Sequence, residues 1–234
     1  MIFTKEEITE GQLLLIDKPL GWTSFDVVNK IRYSIKNTYD LKKIKVGHAG
    51  TLDPLATGLL IIAVGKKTKT ISDLMGLPKT YTGTMKLGET TPSYDGETEV
   101  DERFPWEHIT SELIHLNRDA FLGEQNQIPP IFSAIKKDGK KAYESAREGV
   151  KIEMQARRVE ITSFQVDQKP PQELSFTVSC SKGTYIRSLA HDFGKALNSG
   201  AYLSSLRRTA IGDYKIEDAL SLDQFLKSLA PLQS

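Results

Sequence analysis

The segment with the most potential for chemistry is residues 47–59, GHAGTLDPLATGL. Asp53 precedes Pro54, which disfavours the α conformation at Asp53 and predicts an extended or turn backbone there. The glycines at 47, 50 and 58 allow another backbone to approach closely. A carboxylate held on such a loop suits a nucleophile. The alternative is an ordinary turn aspartate that hydrogen-bonds its own backbone.

Two further segments carry residues that could act with Asp53. Arg187 and Tyr185 lie two apart in CSKGTYIRS, residues 180–188. An ionised aspartate needs a cation nearby, and an arginine that enters a pocket needs a carboxylate. An exposed arginine at the start of a helix is the alternative and would add little stability.

Tyr81 lies in KTYTGTMKLG, residues 79–88, where apolar and polar residues alternate as in a strand. A tyrosine ring can stack on a nucleic-acid base, and its hydroxyl can exchange a proton. The alternative is a core aromatic residue on an ordinary strand.

The elements that must position these residues follow from the hydrophobic pattern. A strand is predicted at 12–17, followed by a helix capped by Thr23 or Ser24. Residues 46–58 are predicted to be an ordered loop. The helix is expected to bury Phe25, Val28, Ile31 and Ile35. Further strands are predicted at 59–64, 81–87, 159–166, 173–180 and 202–208, and further helices at 110–122, 142–147, 186–197 and within 216–229.

Strands and helices interleave without strict alternation, which favours one mixed α/β or α+β domain over residues 1–234. No P-loop, dinucleotide-binding fingerprint or serine-hydrolase elbow is present. The single cysteine excludes an intramolecular disulfide and a cysteine-based zinc site, and the four histidines lack metal-ligand spacing. With no signal peptide and no long apolar run, we expect a cytoplasmic protein without membrane contact.

The net charge of +1 conceals basic segments. Residues 30–48 hold six basic residues and one acidic residue, and residues 136–158 and 182–208 each carry an excess of four positive charges. These segments are either ordinary solvated faces or parts of one groove that binds phosphates.

Several of these segments together resemble one family. Lys18-Pro19 with Gly21, Thr23 and Ser24, the 47–59 loop, residues 79–88, residues 129–147 and residues 183–189 occur in the order and spacing of TruB-type tRNA pseudouridine synthases. The resemblance extends from about Gln12 to Phe225, and the string Gly-His-x-Gly-x-Leu-Asp-Pro-x-Ala-x-Gly is long and specific.

The resemblance implies isomerisation of uridine 55 in the T loop of tRNA to pseudouridine. Uracil leaves the ribose through N1, turns in the pocket and rejoins through C5, so no cofactor or metal is expected. The implied pseudouridine-synthase fold is a mixed, largely antiparallel sheet flanked by helices. We expect a monomer whose partner is the T arm of tRNA.

The resemblance also implies the site residues. Asp53 matches the nucleophile, which attacks either C1′ of the ribose or C6 of the uracil. Arg187 matches the arginine that pairs with it, and Tyr81 the tyrosine that stacks on the target base and is placed for proton transfer. The remaining matches are substrate-binding His48, Tyr185 and Leu206, and Lys18 and Pro19 as supports of the Asp53 loop.

Residues 124–152 resemble the family's inserted RNA-gripping loop. The side chains expected on the RNA backbone are Lys136, Lys137, Lys140, Lys141 and Arg147. We place the acidic residues 95–107 on the far side from the RNA, and we expect no C-terminal PUA domain after Phe225. Two alternatives are an RNA-binding or RNA-folding module without turnover and a pseudouridine synthase that acts on another RNA.

Overall fold

The computed structural model describes residues 3–133, 135–137, 139–148, 153–169 and 172–229. The helices are α1 (Lys5–Glu10), α2 (Ser24–Thr38), α3 (Ile71–Gly76), α4 (Ser111–Asp119), α5 (Ala142–Arg147), α6 (Ile186–Ala196) and α7 (Leu222–Lys227), with 3₁₀ helices at Gly65–Thr70 and Ile216–Asp218. The strands are β1 (Leu13–Lys18), β2 (Val46–His48), β3 (Ala56–Val64), β4 (Lys79–Leu87), β5 (Glu89–Thr90), β6 (Glu102–Arg103), β7 (Gly123–Gln127), β8 (Lys136–Lys137), β9 (Lys140–Lys141), β10 (Arg157–Lys169), β11 (Glu173–Cys180), β12 (Ala201–Ile211), β13 (Tyr214–Lys215) and β14 (Leu220–Ser221).

The chain divides into two compact units. The first unit comprises residues 1–81 and 207–234, and the second unit residues 82–206. Wherever the pairing register of two strands is described, the strands are antiparallel, except that β1 pairs with β14 in parallel. The predicted mixed, largely antiparallel sheet flanked by helices is confirmed.

In the first unit, β3 lies between β1 and the end of β12. Residues 59–64 of β3 are all buried, because apolar side chains cover both faces of the strand. Helix α2 packs on one face through Val27, Val28, Ile31 and Ile35. This arrangement explains the continuous apolar run that predicted a buried strand.

Helix α2 begins where its cap was predicted. The Thr23 hydroxyl accepts a hydrogen bond from the Asp26 amide at 3.0 Å, and the Asp26 carboxylate accepts one from the Thr23 amide at 2.9 Å. This reciprocal capping box satisfies two amides that the helix leaves unpaired. The expectation that Phe25 is buried is wrong, since its side chain is 61% exposed. Phe25 lies about 100° round the helix from the buried Ser24, outside the arc that faces the sheet.

The prediction of a loop over 46–58 is correct only for its centre. Val46–His48 forms β2, which pairs antiparallel with β3, and β3 begins at Ala56. The irregular segment is therefore residues 49–55, which we call the Asp53 loop.

In the second unit, the strands follow the order β12, β4, β11, β10, β7. Helix α6 covers this sheet through Phe193, whose ring meets Phe164 of β10 edge-on with centroids 5.3 Å apart. Phe121 contacts both rings. The predicted helices at 110–122, 142–147 and 186–197 are confirmed as α4, α5 and α6.

Gly58 allows β3 to approach β12 closely. Its φ is +102°, and a Cβ there would overlap the Arg208 carbonyl oxygen and lie 2.7 Å from the Arg208 nitrogen. Gly21 provides a matched control, because its φ is +80° but a Cβ there would meet nothing within 4 Å.

We predict that Gly58→Ala lowers the free energy of unfolding by about 3 kcal/mol, through backbone strain and steric overlap together. Gly21→Ala should cost about 1 kcal/mol, from the positive φ alone. Urea unfolding of both variants measures the difference. Equal losses would contradict the proposed contact between Gly58 and β12.

Candidate active site

Asp53 is half-buried and lies in the Asp53 loop of the first unit. Its carbonyl accepts a hydrogen bond from the Ala56 amide at 3.0 Å, and the carbonyl of Pro54 accepts one from the Gly21 amide at 2.8 Å. The backbone on the C-terminal side of Asp53 is thus tied both to the start of β3 and to the turn after β1.

Lys18 reaches the same place from the end of β1. Its side chain is fully buried, and Nζ donates to the carbonyls of Pro19 at 2.9 Å, Trp22 at 2.6 Å and Pro54 at 3.4 Å. Burial lowers the pKa of Lys18 to about 8, with the Asp53 carboxylate opposing this shift. Lys18 therefore remains charged at neutral pH and joins the 19–22 turn to the Asp53 loop.

Ser24 holds the loop on the N-terminal side of Asp53. Its hydroxyl accepts from the Leu52 amide at 2.9 Å and donates to the Leu52 carbonyl at 3.2 Å. The first residue of α2 thus fixes the residue next to Asp53.

Arg208 holds the loop from β12, and sequence reasoning missed this role. Its side chain is 1% exposed, and the guanidinium donates to the carbonyls of Leu59 at 2.8 Å, Gly50 at 3.0 Å and Thr51 at 3.5 Å. The neighbouring Arg207 binds the Asp17 carboxylate with two hydrogen bonds of 2.7 and 3.0 Å. The adjacent arginine pair is visible in the sequence, where it contributes to the basic segment 182–208 without indicating this role.

His48 and Tyr81 lie in the same unit. His48 is the last residue of β2, and burial together with the nearby Arg208 charge lowers its pKa, so the ring is neutral at pH 7. Its Nδ1 is buried without a hydrogen-bond partner in the part of the chain that the structure describes. Tyr81 is buried in β4. Burial of Tyr81 is compatible with a pocket wall and with the core.

Arg187 lies in the second unit, at the start of α6. Its side chain is 5% exposed, with Nε 3.6 Å from the Asp95 carboxylate and Nη1 donating to the Ser93 carbonyl at 3.2 Å. The opposite oxygen of Asp95 accepts from the Ser93 hydroxyl at 2.6 Å and from the Glu97 amide at 3.0 Å. Within this unit Asp95 is the carboxylate that pairs with Arg187.

Asp95 is the first of the acidic residues 95–107, and it touches a predicted site residue. The placement of that stretch on the far side from the RNA stays a prediction. The sequence Ser93-Tyr94-Asp95-Gly96 is typical of a turn in which an aspartate caps its own backbone. That signal could have identified Asp95 as a fixed carboxylate.

Tyr185 and Leu206 are both half-buried in the second unit. The Tyr185 amide donates to the Gln127 side chain at 2.7 Å, and the Gln127 amide group donates to the Tyr185 carbonyl at 3.0 Å. This reciprocal pair ties the start of α6 to the end of β7. Gln127 was not singled out from the sequence.

The basic segments differ in how many of their charged side chains are exposed and unpaired within the described residues. In 182–208, Arg187 and Arg208 are buried and Arg207 is paired with Asp17, whereas Lys182 and Lys195 are exposed. In the first unit, exposed lysines come together where the Gly65 amide donates to the Lys45 carbonyl at 2.9 Å. The structure gives them no ion pair within its described residues. We call this set the lysine surface: Lys42, Lys43, Lys45, Lys66, Lys67 and Lys69.

The five side chains predicted to grip RNA lie outside the described part of the structure. Their backbone forms β8, β9 and α5. In the ranges that the structure describes, no three His, Cys, Asp or Glu residues are grouped as metal ligands, and no helix is long and apolar enough to cross a membrane.

The lowered pKa of Lys18 predicts a pH dependence of stability. Between about pH 8 and 10.5 the folded state has released the Lys18 proton while the unfolded state retains it, so the unfolding free energy rises with pH. The stability of the wild type minus that of Lys18→Met should therefore increase across this window, by at most about 1.4 kcal/mol per pH unit. Denaturant titrations at pH 7.5, 9 and 10.5 test this, and a constant difference would contradict the buried ammonium.

Similar proteins cover almost the whole chain. It is 59% identical over 227 residues to a tRNA pseudouridine synthase B of Flavobacterium johnsoniae, covering 97% of this chain and 99% of that one. It is 53% identical over 216 residues to the protein of the same name in Phocaeicola vulgatus, covering 92% of each.

Solved structures with a similar fold include the Cbf5-Nop10-Gar1 complex, with a TM-score of 0.72 and 30% identity over 96% of this chain. A second is an H/ACA RNP bound to a substrate RNA containing 2′-deoxyuridine, with a TM-score of 0.67 and 28% identity over 94% of this chain. The chain spans 56% and 53% of those two chains, about half of their length.

Two family models divide the chain between them. Residues 36–186 match the TruB family pseudouridylate synthase N-terminal domain, and residues 187–233 match the tRNA pseudouridylate synthase B C-terminal domain. With matches over most of its length and a relative at 59% identity, the chain belongs to the TruB family of pseudouridylate synthases.

Proposed function

We propose that this chain isomerises uridine 55 in the T loop of tRNA to pseudouridine, with Asp53 as nucleophile. The observation that carries the proposal is the fixation of the Asp53 loop by Lys18, Ser24 and Arg208, which donate to or accept from its backbone. A nucleophile that is already held in place loses little freedom when the substrate arrives. The tRNA substrate is supported by the names of two relatives, which match over 99% and 92% of their length.

The bond changes of this reaction balance without an oxidant, reductant or group donor. Asp53 attacks C1′ of the ribose or C6 of the uracil, and the N1–C1′ bond breaks. The base turns and a C5–C1′ bond forms. The bond to Asp53 breaks, which restores the carboxylate, C5 loses its proton, and N1 carries a proton in the product. Tyr81 stacks on the base and is a candidate for moving that proton, since a phenol both donates and accepts.

The target base must leave the T loop before its C5 can reach C1′, and extrusion costs a few kcal/mol. Stacking on an aromatic ring returns ~1–3 kcal/mol per base, which suits Tyr81. His48, whose ring is neutral, fills the space that the extruded base leaves in the T loop in this proposal. In this proposal Arg187, which is held by Asp95, pairs with the nucleophile, and the half-buried Tyr185 and Leu206 bind the substrate.

Backbone phosphates are bound by the lysine surface, together with residues 136–147. Exposed lysines without acidic partners bind phosphates at little desolvation cost and without reading sequence. The whole of residues 1–234 acts as one catalytic domain in this proposal, with 124–152 as an RNA-binding insertion.

Asp53→Asn should abolish isomerisation and leave tRNA affinity within about threefold of wild type. The amide has the same shape but is a poor nucleophile. Tritium release from tRNA labelled at uridine C5 measures the reaction, and filter binding measures affinity. Asp213→Asn is the matched control, because Asp213 is exposed and makes no described side-chain contact. A single-turnover rate for Asp53→Asn within tenfold of wild type would remove Asp53 from the nucleophile role, and an inactive wild type would favour an RNA-binding module.

A hairpin that contains only the T arm should be nearly as good a substrate as tRNA. The lysine surface is built from two short segments that adjoin the paired strands β2 and β3, so we expect it to fit a short stem. Each neutralised phosphate adds roughly −0.9 to the slope of log K against log salt in a duplex, so the two substrates should have similar slopes. Product mapping should locate pseudouridine at position 55 alone, and a U55C transcript should be inert. A hairpin more than a hundredfold worse in kcat/KM would mean that contacts outside the T arm dominate.

A further inference from the structure

We propose that Tyr94 and His191 form a stacked pair that holds the 93–95 turn on α6 and thereby positions the Asp95 carboxylate against Arg187. The two rings are nearly parallel, with an interplanar angle of 12° and centroids 3.8 Å apart. Both residues lie in the second unit. They act as positioning residues for the isomerisation, so this inference rests on the proposed function.

Three consecutive residues of the turn contact the same helix. The Ser93 carbonyl and the Asp95 carboxylate both face Arg187, and the Tyr94 ring lies on His191. Residues four apart on a helix share one face, so Arg187 and His191 present a continuous surface to the turn. The turn is thus attached to α6 by the stack, by the ion pair and by the hydrogen bond from Arg187 to the Ser93 carbonyl. It is also joined to β12, where the Leu203 amide donates to the Tyr94 carbonyl at 3.0 Å.

The ion pair depends on how the turn lies against the helix. The Asp95 oxygen bound to Ser93 and Glu97 is fixed within the turn, while the other oxygen is 3.6 Å from Arg187 Nε. That distance exceeds a hydrogen bond, so a small shift of the turn decides whether the contact tightens or breaks. Stacking of Tyr94 on His191 limits such shifts.

Two local costs at the stack support a role beyond packing. Tyr94 has a φ of +64°, a left-handed conformation that costs a non-glycine residue roughly 1–2 kcal/mol. His191 is buried, and its Nδ1 lacks a hydrogen-bond partner within the described residues. Burial, reinforced by the Lys195 charge, lowers the pKa of His191 to about 4, so the stacked ring is neutral. An apolar residue at 191 and a glycine or asparagine at 94 would avoid both costs, so core packing alone does not account for this pair.

The test removes each ring with and without an aromatic replacement. Tyr94→Asn deletes the ring while relieving the backbone, since asparagine tolerates the left-handed conformation, and Tyr94→Phe retains the ring. His191→Leu and His191→Phe form the matching pair. Single-turnover isomerisation of tRNA, tRNA affinity and thermal midpoint are measured for all four variants and for the double variant Tyr94→Asn/His191→Leu.

We expect Tyr94→Asn and His191→Leu to slow the single-turnover rate at least tenfold, with tRNA affinity within threefold and the thermal midpoint of Tyr94→Asn not lowered. Tyr94→Phe and His191→Phe should stay within threefold of wild type, and the double variant should be no slower than the slower single variant. A structural role alone would lower the thermal midpoint and leave the rate of the folded enzyme unchanged.

A near-normal single-turnover rate in Tyr94→Asn would overturn the inference. It would also be overturned if Tyr94→Phe and His191→Phe were as slow as the variants that lack the ring. If His191→Leu does not fold, the rates of the two variants Tyr94→Asn and Tyr94→Phe test the inference by the same criteria. Failure of the proposed function is distinguishable, because the wild type itself would then release no tritium from tRNA.

Discussion

Two buried cations, Lys18 and Arg208, must find hydrogen-bond acceptors inside the first unit, and the Asp53 loop supplies several of them. A guanidinium cannot release its proton, so its burial is tolerable only when acceptors replace water. The loop carbonyls of Gly50, Thr51 and Pro54 need donors in turn, because a buried carbonyl without a partner costs about 1–3 kcal/mol. The two cations and the loop carbonyls thus satisfy each other's hydrogen-bonding groups. Movement of the loop would leave a buried charge without acceptors. Gly58 completes the constraint, since only a residue without Cβ lets β3 approach Arg208 this closely.

This use of arginine separates two roles of positive charge in the chain. Arg187, Arg207 and Arg208 are all engaged by carboxylates or carbonyls, where the planar fork of arginine can make several directed hydrogen bonds. The exposed positive charge of the first unit is instead lysine, which keeps its hydration and can meet a phosphate as a point charge. A count of basic residues along the sequence does not make this distinction.

Much of the fold could be predicted from local pattern. Caps, periodicity and the apolar run of β3 gave α2, β3 and the β10–β11 pair close to their observed bounds. Phe25 was misplaced because a helix face a few residues wide is ambiguous by one position. The loop centre and Asp53 were recognised through a specific motif. The roles of Arg208, Gln127 and Asp95 were not recognised, because each depends on a partner far away in sequence or on which face a strand buries.

The surroundings of Arg187 combine a buried ion pair, a left-handed residue and an unsatisfied buried nitrogen within the described residues. A buried arginine requires a carboxylate, and Asp95 meets that need, but a carboxylate so deeply buried requires its own donors from Ser93 and Glu97. Bringing those donors round one oxygen forms a tight turn, which leaves Tyr94 with a left-handed backbone. The turn lies against α6 and is also joined to β12, where the Leu203 amide donates to the Tyr94 carbonyl at 3.0 Å. The residue that meets it on α6 is an uncharged histidine whose Nδ1 has no hydrogen-bond partner within the described residues. Each of these structural features therefore depends on the preceding one, and the first of them is the burial of Arg187. An apolar residue at 187 would remove the need for the Asp95 carboxylate and its donors, so packing alone does not account for the buried arginine.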